Sequence, residues 1–394
     1  MNKKDIANIR KQFKLDNDLL KITNIFNVYI RKESSDIYHQ ESNPFSMLDR
    51  EQQELFIKNF KKVLTGALDV KLFEVKFQEQ AEDHTQVILY EGLQAEDADE
   101  WNDQMLLIVE KMFKDVQYEK DMVVTFIRGE YFKPTKRSSE EAEVSDRDEV
   151  YTHPFILCSI NQTEQPKRSL VFDYIEKEFK SSVVVDSVIN LTSPVAGFLF
   201  PSFTDNSADV NRVLYSSGKA NQPDYHFIEN VLNGEEIMTA AEDKAVFEEI
   251  VKQVVGDQVD THTLANVYDE INRMMDVDED EEDDEVDPTL DYKDVERVLK
   301  MSGVEDVSTD KVEMAFKTVI DDEKYELKAS SILPKYNSKS IKINTKVANI
   351  SISPKDLRYV KQVTFNGKRC LLIEVDEDAE IESFTLIPET SLHY

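Results

Sequence analysis

Residues 121–132 are DMVVTFIRGEYF, an apolar and β-branched stretch that predicts a buried strand. Two segments before it carry apolar residues at helical spacing, over 49–64 and 97–117, and Asp49 is a suitable N-cap for the first of them. A β-rich segment at 21–30 predicts a further strand. The first third of the chain therefore combines helices and strands.

Five short β-rich segments follow residue 150, at 154–162, 168–174, 180–189, 195–201 and 210–215. Helical patterns flank this series, beginning with 3–15 at the amino end and continuing after it at 223–233, 239–255 and 260–275. Several strands bordered by helices on both sides predict an α+β protein with a mixed or largely antiparallel sheet.

An acidic run divides the sequence. Residues 278–285 are eight consecutive Asp and Glu, which repel one another and favour an extended, solvated linker. We therefore expect an α+β core domain at 1–275, which is either one domain or two subdomains, with an exposed loop at 133–149. An acidic linker at 276–290 and a small α+β domain at 291–394 follow it.

The last segment has its own pattern. A helix is predicted at 291–301 and another, short one at 355–359, and 360–375 predicts a hairpin that turns at Asn366-Gly367, a dipeptide typical of tight hairpins. Further β segments are predicted at 324–330, 339–343 and 348–353.

Charge is the strongest signal in the composition. The chain has 47 basic and 79 acidic residues and a formal net charge of −32, which favours solubility and repels polyanions. The basic pairs Lys3-Lys4, Lys61-Lys62 and Lys136-Arg137 are short and scattered, so direct nucleic-acid binding is disfavoured. The acidity is explained by solubility, by a basic partner protein or by mimicry of a nucleic acid.

The sequence contains no pattern that predicts a metal site, a cofactor site or catalytic residues. Six histidines show no His-x-x-x-His spacing, there is no Cys-x-x-Cys, and the nine glycines form no phosphate-binding loop. Cys158 and Cys370 lie in apolar runs and are expected to be buried thiols of a reducing compartment. The charged first residues and the lack of a long apolar run predict a cytoplasmic protein without a membrane span.

One polar segment stands out as a candidate ligand site. It follows the apolar stretch 197–201 and places a carboxylate, an amide and a guanidinium after a predicted strand, with Asp205, Asn206, Asp209, Asn211 and Arg212 as its tentative ligand-binding residues. The alternative is a capped turn with Asp209 and Arg212 as a surface ion pair. A calcium loop is excluded, because Val210 stands where glycine is needed and Ser216 where a bidentate Glu is needed.

Three stretches carry a resemblance to a known family: MNKKDIANIRKQF at 1–13, FILCSI at 155–160 and GFLFPSFTDNSADV at 197–210. With a similar tail at 369–375, they resemble a bacterial family catalogued as domain of unknown function 4317, over nearly the whole chain. The resemblance implies a cytoplasmic bacterial protein with the family fold, and it implies no activity. The acidic run is not associated with the family.

These observations favour a non-enzymatic regulatory or scaffold protein that binds another protein, of basic character, through its acidic surface. An enzyme of an uncharted class, acting on a small or nucleotide-like ligand near Asp205, Asp209 and Arg212, is one alternative. A factor associated with nucleic acid or the ribosome, through a local basic face or through mimicry of a polyanion, is the other.

Overall fold

The chain forms two compact units, Met1–Thr239 and Ala240–Tyr394, called the first and second unit below. The computed structural model describes residues 1–79, 84–114, 116–134, 150–165, 169–182, 186–204, 207–256, 259–276, 288–322, 324–334, 340–365, 367–376, 379–381 and 384–385. Within these residues, no helix has the length and apolar character that a membrane crossing requires.

Among its described residues, the first unit has four α-helices and twelve strands. The helices are α1 (Lys3–Gln12), α2 (Arg50–Val63), α3 (Thr85–Gln94) and α4 (Ala98–Phe113), with a π-helix at Phe227–Val231. The strands are β1 (Leu20–Ile30), β2 (Ile37–Pro44), β3 (Leu72–Lys76), β4 (Met122–Pro134), β5 (Val150–Glu164), β6 (Ser169–Asp173), β7 (Glu178–Ser182), β8 (Val188–Ile189), β9 (Ala196–Phe200), β10 (Ser202–Thr204), β11 (Ser207–Asp209) and β12 (Arg212–Ser217).

Most of these strands belong to one large sheet. Its order is β2-β1-β4-β5-β9-β12-β3, with β8 paired to β5, and each neighbouring pair is antiparallel. The stretch at 121–132 is its centre, since β4 pairs with β1 on one side and β5 on the other. An antiparallel sheet flanked by helices confirms the predicted α+β class.

Helices cover both faces of the sheet. Alternate residues of β4 point to opposite sides, so that Phe126 packs with α3 and α4 while Ile127 packs with α1 and α2. Each side has a core of buried apolar residues, and both cores lie entirely in the first unit. Asp49 caps α2 as predicted, in a capping box with Gln52.

Of the expected loop at 133–149, residues 133 and 134 belong to β4, which runs to Pro134, and β5 begins at Val150. Residues 135–149 lie outside the described part of the chain. Further along, β6 and β7 form a two-stranded hairpin of five residue pairs. It is exposed on nearly every side chain, including the large apolar residues Leu170, Val171, Phe172, Tyr174, Ile175 and Phe179.

The described part of the second unit combines helices with short strands. Its helices are α5 (Ala240–Val255), α6 (Thr261–Asp276), α7 (Tyr292–Met301), α8 (Thr309–Ile320) and α9 (Ala329–Ile332), with a 3-10 helix at Pro354–Tyr359. Its strands are β13 (Thr289–Leu290), β14 (Leu327–Lys328), β15 (Ile341–Asn344), β16 (Asn349–Ile352), β17 (Val360–Phe365), β18 (Lys368–Ile373), β19 (Glu380–Ile381) and β20 (Phe384–Thr385), paired as four small hairpins or bridges. The predicted hairpin at 360–375 is β17–β18, and Asn366 of its turn lies outside the described residues.

The boundary between the units differs from the expected one at 275. Helices α5 and α6 belong to the second unit, because Phe247, Ile250 and Ile271 share one apolar core with Val298 and Phe316 of α7 and α8. The acidic run therefore falls inside the second unit's sequence instead of before it. Its residues are outside the described part of the chain, so the linker stays a prediction.

A tyrosine–carboxylate pair ties β1 to the start of β4. The Tyr29 hydroxyl donates to Asp121 Oδ2 at 2.7 Å, and the backbone N–H of Lys32 donates to Asp121 Oδ1 at 3.0 Å. The hydrogen bonds from Lys32 and Tyr29 lower the pKa of Asp121, whereas burial and the Asp121 bond raise the pKa of Tyr29 to about 12. The stability from Asp121 is therefore present above its unfolded pKa and is lost as pH falls through the folded value.

Tyr29→Phe removes this hydroxyl and should lower the unfolding free energy by about 1 kcal/mol at neutral pH. The difference from the parent protein should shrink in acid, because a protonated Asp121 no longer gains a charge-assisted bond. Urea denaturation at neutral and acidic pH measures both effects. Tyr38→Phe, at an exposed tyrosine, is the control and should change little. A Tyr29→Phe deficit that is equally large in acid would contradict the assignment.

Candidate functional site

The turn between β11 and β12 lies at a polar cleft of about 540 Å³. Asp209 Oδ1 accepts a hydrogen bond from the Asn211 backbone N–H at 2.9 Å, which closes the turn in the way expected of an Asx residue. The wall opposite the turn comes from residues that follow β3 and begin α3. The cleft is lined by Lys76, Phe77, Gln78, Glu79, His84, Gln86, Val87, Asp209, Asn211 and Arg212.

Both cations of this polar cleft already have carboxylate partners. Arg212 Nη1 lies 3.1 Å from Glu74 Oε2, and its Nε lies 3.4 Å from Asp209 Oδ2. Lys76 Nζ donates to Glu235 Oε1 at 2.8 Å, and this hydrogen bond raises the pKa of Lys76. Pairs this exposed contribute little to stability, because solvent screens their charges. An anionic ligand would therefore have to compete with carboxylates that are already in place.

His84 has a structural role at the start of α3. Its Nδ1 accepts from the Gln86 backbone N–H at 3.2 Å, and its Nε2 lies 2.8 Å from the Gln78 carbonyl oxygen. A carbonyl only accepts, so Nε2 must carry the proton, and the ring is neutral with both nitrogens occupied. The ring is buried and packs edge-on against Phe77. His84 therefore acts as a helix cap, and neither nitrogen is available as a general base.

The structure brings together three of the five residues that the sequence singled out. Asp209, Asn211 and Arg212 lie at the cleft, and Asn211 Oδ1 accepts from Gln86 Nε2 at 3.1 Å. The predicted surface pair of Asp209 and Arg212 is present. Asp205 and Asn206 lie outside the described residues.

A larger groove runs along α3 and α4, with a volume of about 1090 Å³. Exposed apolar side chains lie on this surface, among them Val87 of α3, Leu107 of α4 and Ile37 at the start of β2. We call it the α3–α4 groove. It is lined by Ile30, Ser35, Asp36, Ile37, His84, Val87, Ile88, Glu91, Gln104, Leu107, Val109, Glu110, Lys111, Phe113 and Lys114.

The groove has more exposed carboxylates than exposed cations, and Lys114 is the exposed cation among its lining residues. Asp36, Glu91 and Glu110 line it, whereas the Lys111 ammonium donates to Thr85 Oγ1 at 2.8 Å and Asn233 Oδ1 at 2.7 Å. Gln104 lines the groove as well, and its buried Oε1 has no hydrogen-bond donor among the residues that the structure describes. The exposed charges of the groove are therefore mainly negative.

Other chemistry is not assembled in the described part of the chain. Within it, no group of three or more His, Cys, Asp or Glu side chains is placed to hold a metal ion. Cys158 is fully buried in β5, and burial raises the pKa of its thiol well above the usual value, which makes it a poor nucleophile. Cys370 is half-buried in β18 rather than fully enclosed.

The fold and these surfaces define an α+β protein with a helix-covered antiparallel sheet, one polar cleft and one acidic, partly apolar groove. The family described as Domain of unknown function (DUF4317) matches residues 1–384, and the chain belongs to that family. The resemblance noted in the sequence is thereby confirmed. A comparison with curated proteins finds no match.

Proposed function

We propose that this protein is a non-enzymatic regulatory or scaffold protein of the cytoplasm that binds a basic, amphipathic helix of a partner protein. The α3–α4 groove carries the proposal, because it combines exposed apolar side chains with the carboxylates of Asp36, Glu91 and Glu110. A helix with apolar residues on one face would bury Val87 and Leu107, and its flanking Lys and Arg would meet the carboxylates.

The charge of the chain supports a basic partner. A net charge of −32 attracts cations over the Debye length of about 8 Å at physiological salt, and it repels acidic competitors. Association with the groove should therefore be fast at low salt and should weaken as salt rises.

The groups that could carry catalysis support a non-enzymatic role. Both ring nitrogens of His84 are occupied, and the Cys158 thiol is buried. Arg212 and Lys76 are held by carboxylates. Each of these side chains thus has a local structural partner or is withdrawn from solvent.

Leu107→Lys should weaken the binding of a basic amphipathic probe by at least about tenfold, since it removes apolar contact and adds a repelling charge. The probe is a fluorescein-labelled helical peptide of about 18 residues, with Leu on one face and Lys on the other. Fluorescence anisotropy with the full chain, at low and at roughly physiological ionic strength, gives the dissociation constants.

Leu55→Lys is the matched control. Leu55 of α2 is 46 % exposed and Leu107 is 45 % exposed, so both substitutions add the same charge at the same depth on helices of the first unit. The control should stay within about twofold of the parent. Equal losses of affinity in the two variants would show that the probe binds through general charge attraction and not through the groove. No binding of the probe at low salt would contradict the proposal.

A second candidate function rests on the polar cleft. Asp209, Asn211 and Arg212 line a cavity large enough for a small or nucleotide-like ligand, which suits an enzyme of an uncharted class. A ligand phosphate or carboxylate would have to displace Glu74 from Arg212 or Glu235 from Lys76. This competition makes the polar cleft the weaker of the two candidates.

A further inference from the structure

The second unit contains a basic segment within a strongly acidic protein. Residues 340–373 have seven lysine and arginine residues and only one acidic residue, Asp356. The segment comprises the β15–β16 hairpin, the 3-10 helix at Pro354–Tyr359 and the β17–β18 hairpin. Its cations are Lys342, Lys346, Lys355, Arg358, Lys361, Lys368 and Arg369.

All seven cations are exposed, and none forms an ion pair with a carboxylate in the described part of the chain. Several other cations of the second unit have a local carboxylate partner, such as Arg297 with Asp294 at 2.9 Å and Lys300 with Glu296 at 2.5 Å. The cations of the basic segment are thus available to an external anion.

The β17–β18 hairpin gives part of the segment a defined surface. Antiparallel pairing places Lys361 opposite Leu372 and Lys368 opposite Phe365, and both lysines lie on the same face of the hairpin. The lysines therefore stand at the two ends of a face whose middle is the Val363–Cys370 pair. On this surface, the two lysines lie on either side of partly exposed apolar side chains.

An aromatic side chain lies directly before this hairpin. Tyr359 is 42 % exposed, and the Arg358 guanidinium lies 5.7 Å from the centre of its ring. The Arg358 Nε donates to the Lys355 carbonyl oxygen at 3.0 Å, which holds the guanidinium in position. An exposed ring among cations is the arrangement on which a nucleic-acid base stacks.

We infer that the basic segment binds single-stranded nucleic acid, with its lysines and arginines on the phosphates and Tyr359 stacked on a base. A bilayer with anionic lipids is a poorer fit, because lipid headgroups offer no aromatic face on which Tyr359 could stack. A single strand supplies both phosphates for the cations and bases for Tyr359. An acidic protein would pair with the cations and would gain nothing from Tyr359.

Fluorescence anisotropy of the full chain with labelled oligonucleotides tests the inference. The probes are unstructured oligothymidine and oligouridine of about 16 nucleotides, titrated between about 0.05 and 0.2 M salt. We expect both to bind at low salt and their affinity to fall as salt rises. Tighter binding of oligouridine would indicate contacts to the 2′-hydroxyl, and equal binding would indicate recognition of the backbone and bases alone.

Two sets of variants locate the site. Lys361→Glu with Lys368→Glu should weaken binding at least about tenfold and lower the log–log salt slope by about 1.4, near 0.7 for each lost phosphate contact. The control pair Lys293→Glu with Lys311→Glu changes exposed lysines of α7 and α8 and should have little effect. Tyr359→Ala should weaken binding about fivefold or more, and Tyr359→Phe should restore it, because either aromatic ring can stack on a base.

The inference is overturned if neither probe binds at low salt, or if the two lysine pairs weaken binding equally. It is also overturned if Tyr359→Ala leaves the affinity unchanged while polyglutamate displaces the probe, since an acidic protein would then be the ligand. Circular dichroism confirms that each variant is folded. None of these outcomes involves the α3–α4 groove, which lies in the first unit.

Discussion

Trp101→Ala should lower the free energy of unfolding by about 3–5 kcal/mol. Trp101 is the only tryptophan of the chain and is fully buried on α4, where its ring packs edge-on against Phe26 at 6.2 Å. The Arg128 guanidinium lies 5.2 Å from the ring centre and also donates to the Ala95 carbonyl oxygen at 3.0 Å. Truncation would leave a cavity. The half-buried Arg128 guanidinium would also lose the Trp101 ring that it now contacts.

Urea denaturation followed by far-ultraviolet circular dichroism measures this loss, since the variant has no tryptophan fluorescence. Leu107→Ala is the control on the same helix, at an exposed position, and should cost less than about 1 kcal/mol. Equal losses at Trp101 and Leu107 would show that helix α4 is not anchored through Trp101.

Gly129→Ala is expected to have the second largest effect, a loss of about 3 kcal/mol. Gly129 of β4 pairs with Ile22 beside an irregularity between Ile22 and Asn24 of β1. An added Cβ would lie 2.2 Å from the Lys21 carbonyl oxygen, far inside van der Waals contact. Strands β1 and β4 are paired on both sides of the irregularity. The backbone at Gly129 therefore cannot move aside without breaking this pairing.

The adjacent substitution Glu130→Ala provides the comparison. Glu130 is exposed on the same strand, so its replacement should change the unfolding free energy by no more than about 0.5 kcal/mol. Thermal and urea unfolding of both variants measure the difference. A Gly129→Ala protein as stable as the parent would mean that the irregularity in β1 relaxes freely.

The sequence predicted the elements that carry their own periodicity. Helices α2, α4, α5 and α6 and strands β1, β4 and β5 lie within a few residues of their expected bounds, because each presents one apolar face or a continuous apolar run. The acidic run suggested a domain boundary, whereas packing places α5 and α6 with the second unit. A change in composition shows where the chain becomes acidic. It does not show which helices share a core, since that depends on the apolar contacts between them.

Elements without such a pattern were not predicted. Strand β2 is polar and mostly exposed, so it has no apolar alternation, and β3 joins the sheet edge through β12, far away in the sequence. Helix α3 begins at His84, an unusual N-cap residue, and its apolar residues are not confined to one stripe. Helix α8 has a regular stripe of Val312 and Phe316, but no element was predicted between the helix at 291–301 and the β segment at 324–330.

The candidate site was predictable only where its residues are neighbours in sequence. Asp209, Asn211 and Arg212 share one turn, whereas Lys76 and His84 reach the polar cleft through the pairing of β3 and the start of α3. Tyr359 and the seven cations of the basic segment were not recognised, because most of these cations are widely spaced in the sequence and only Lys368 and Arg369 are adjacent. A window of about 30 residues would have revealed the local excess of positive charge.

The β6–β7 hairpin has a consequence for how this chain can change in length. The chain leaves β5 at Glu164 and returns at Val188, the residue that pairs with it. Everything between them is an excursion from adjacent points of the large sheet, and the hairpin's side chains lie outside both cores of the first unit. Insertions or deletions at residues 165–187 would leave the register of the sheet untouched, which makes this excursion a suitable position for an inserted reporter domain.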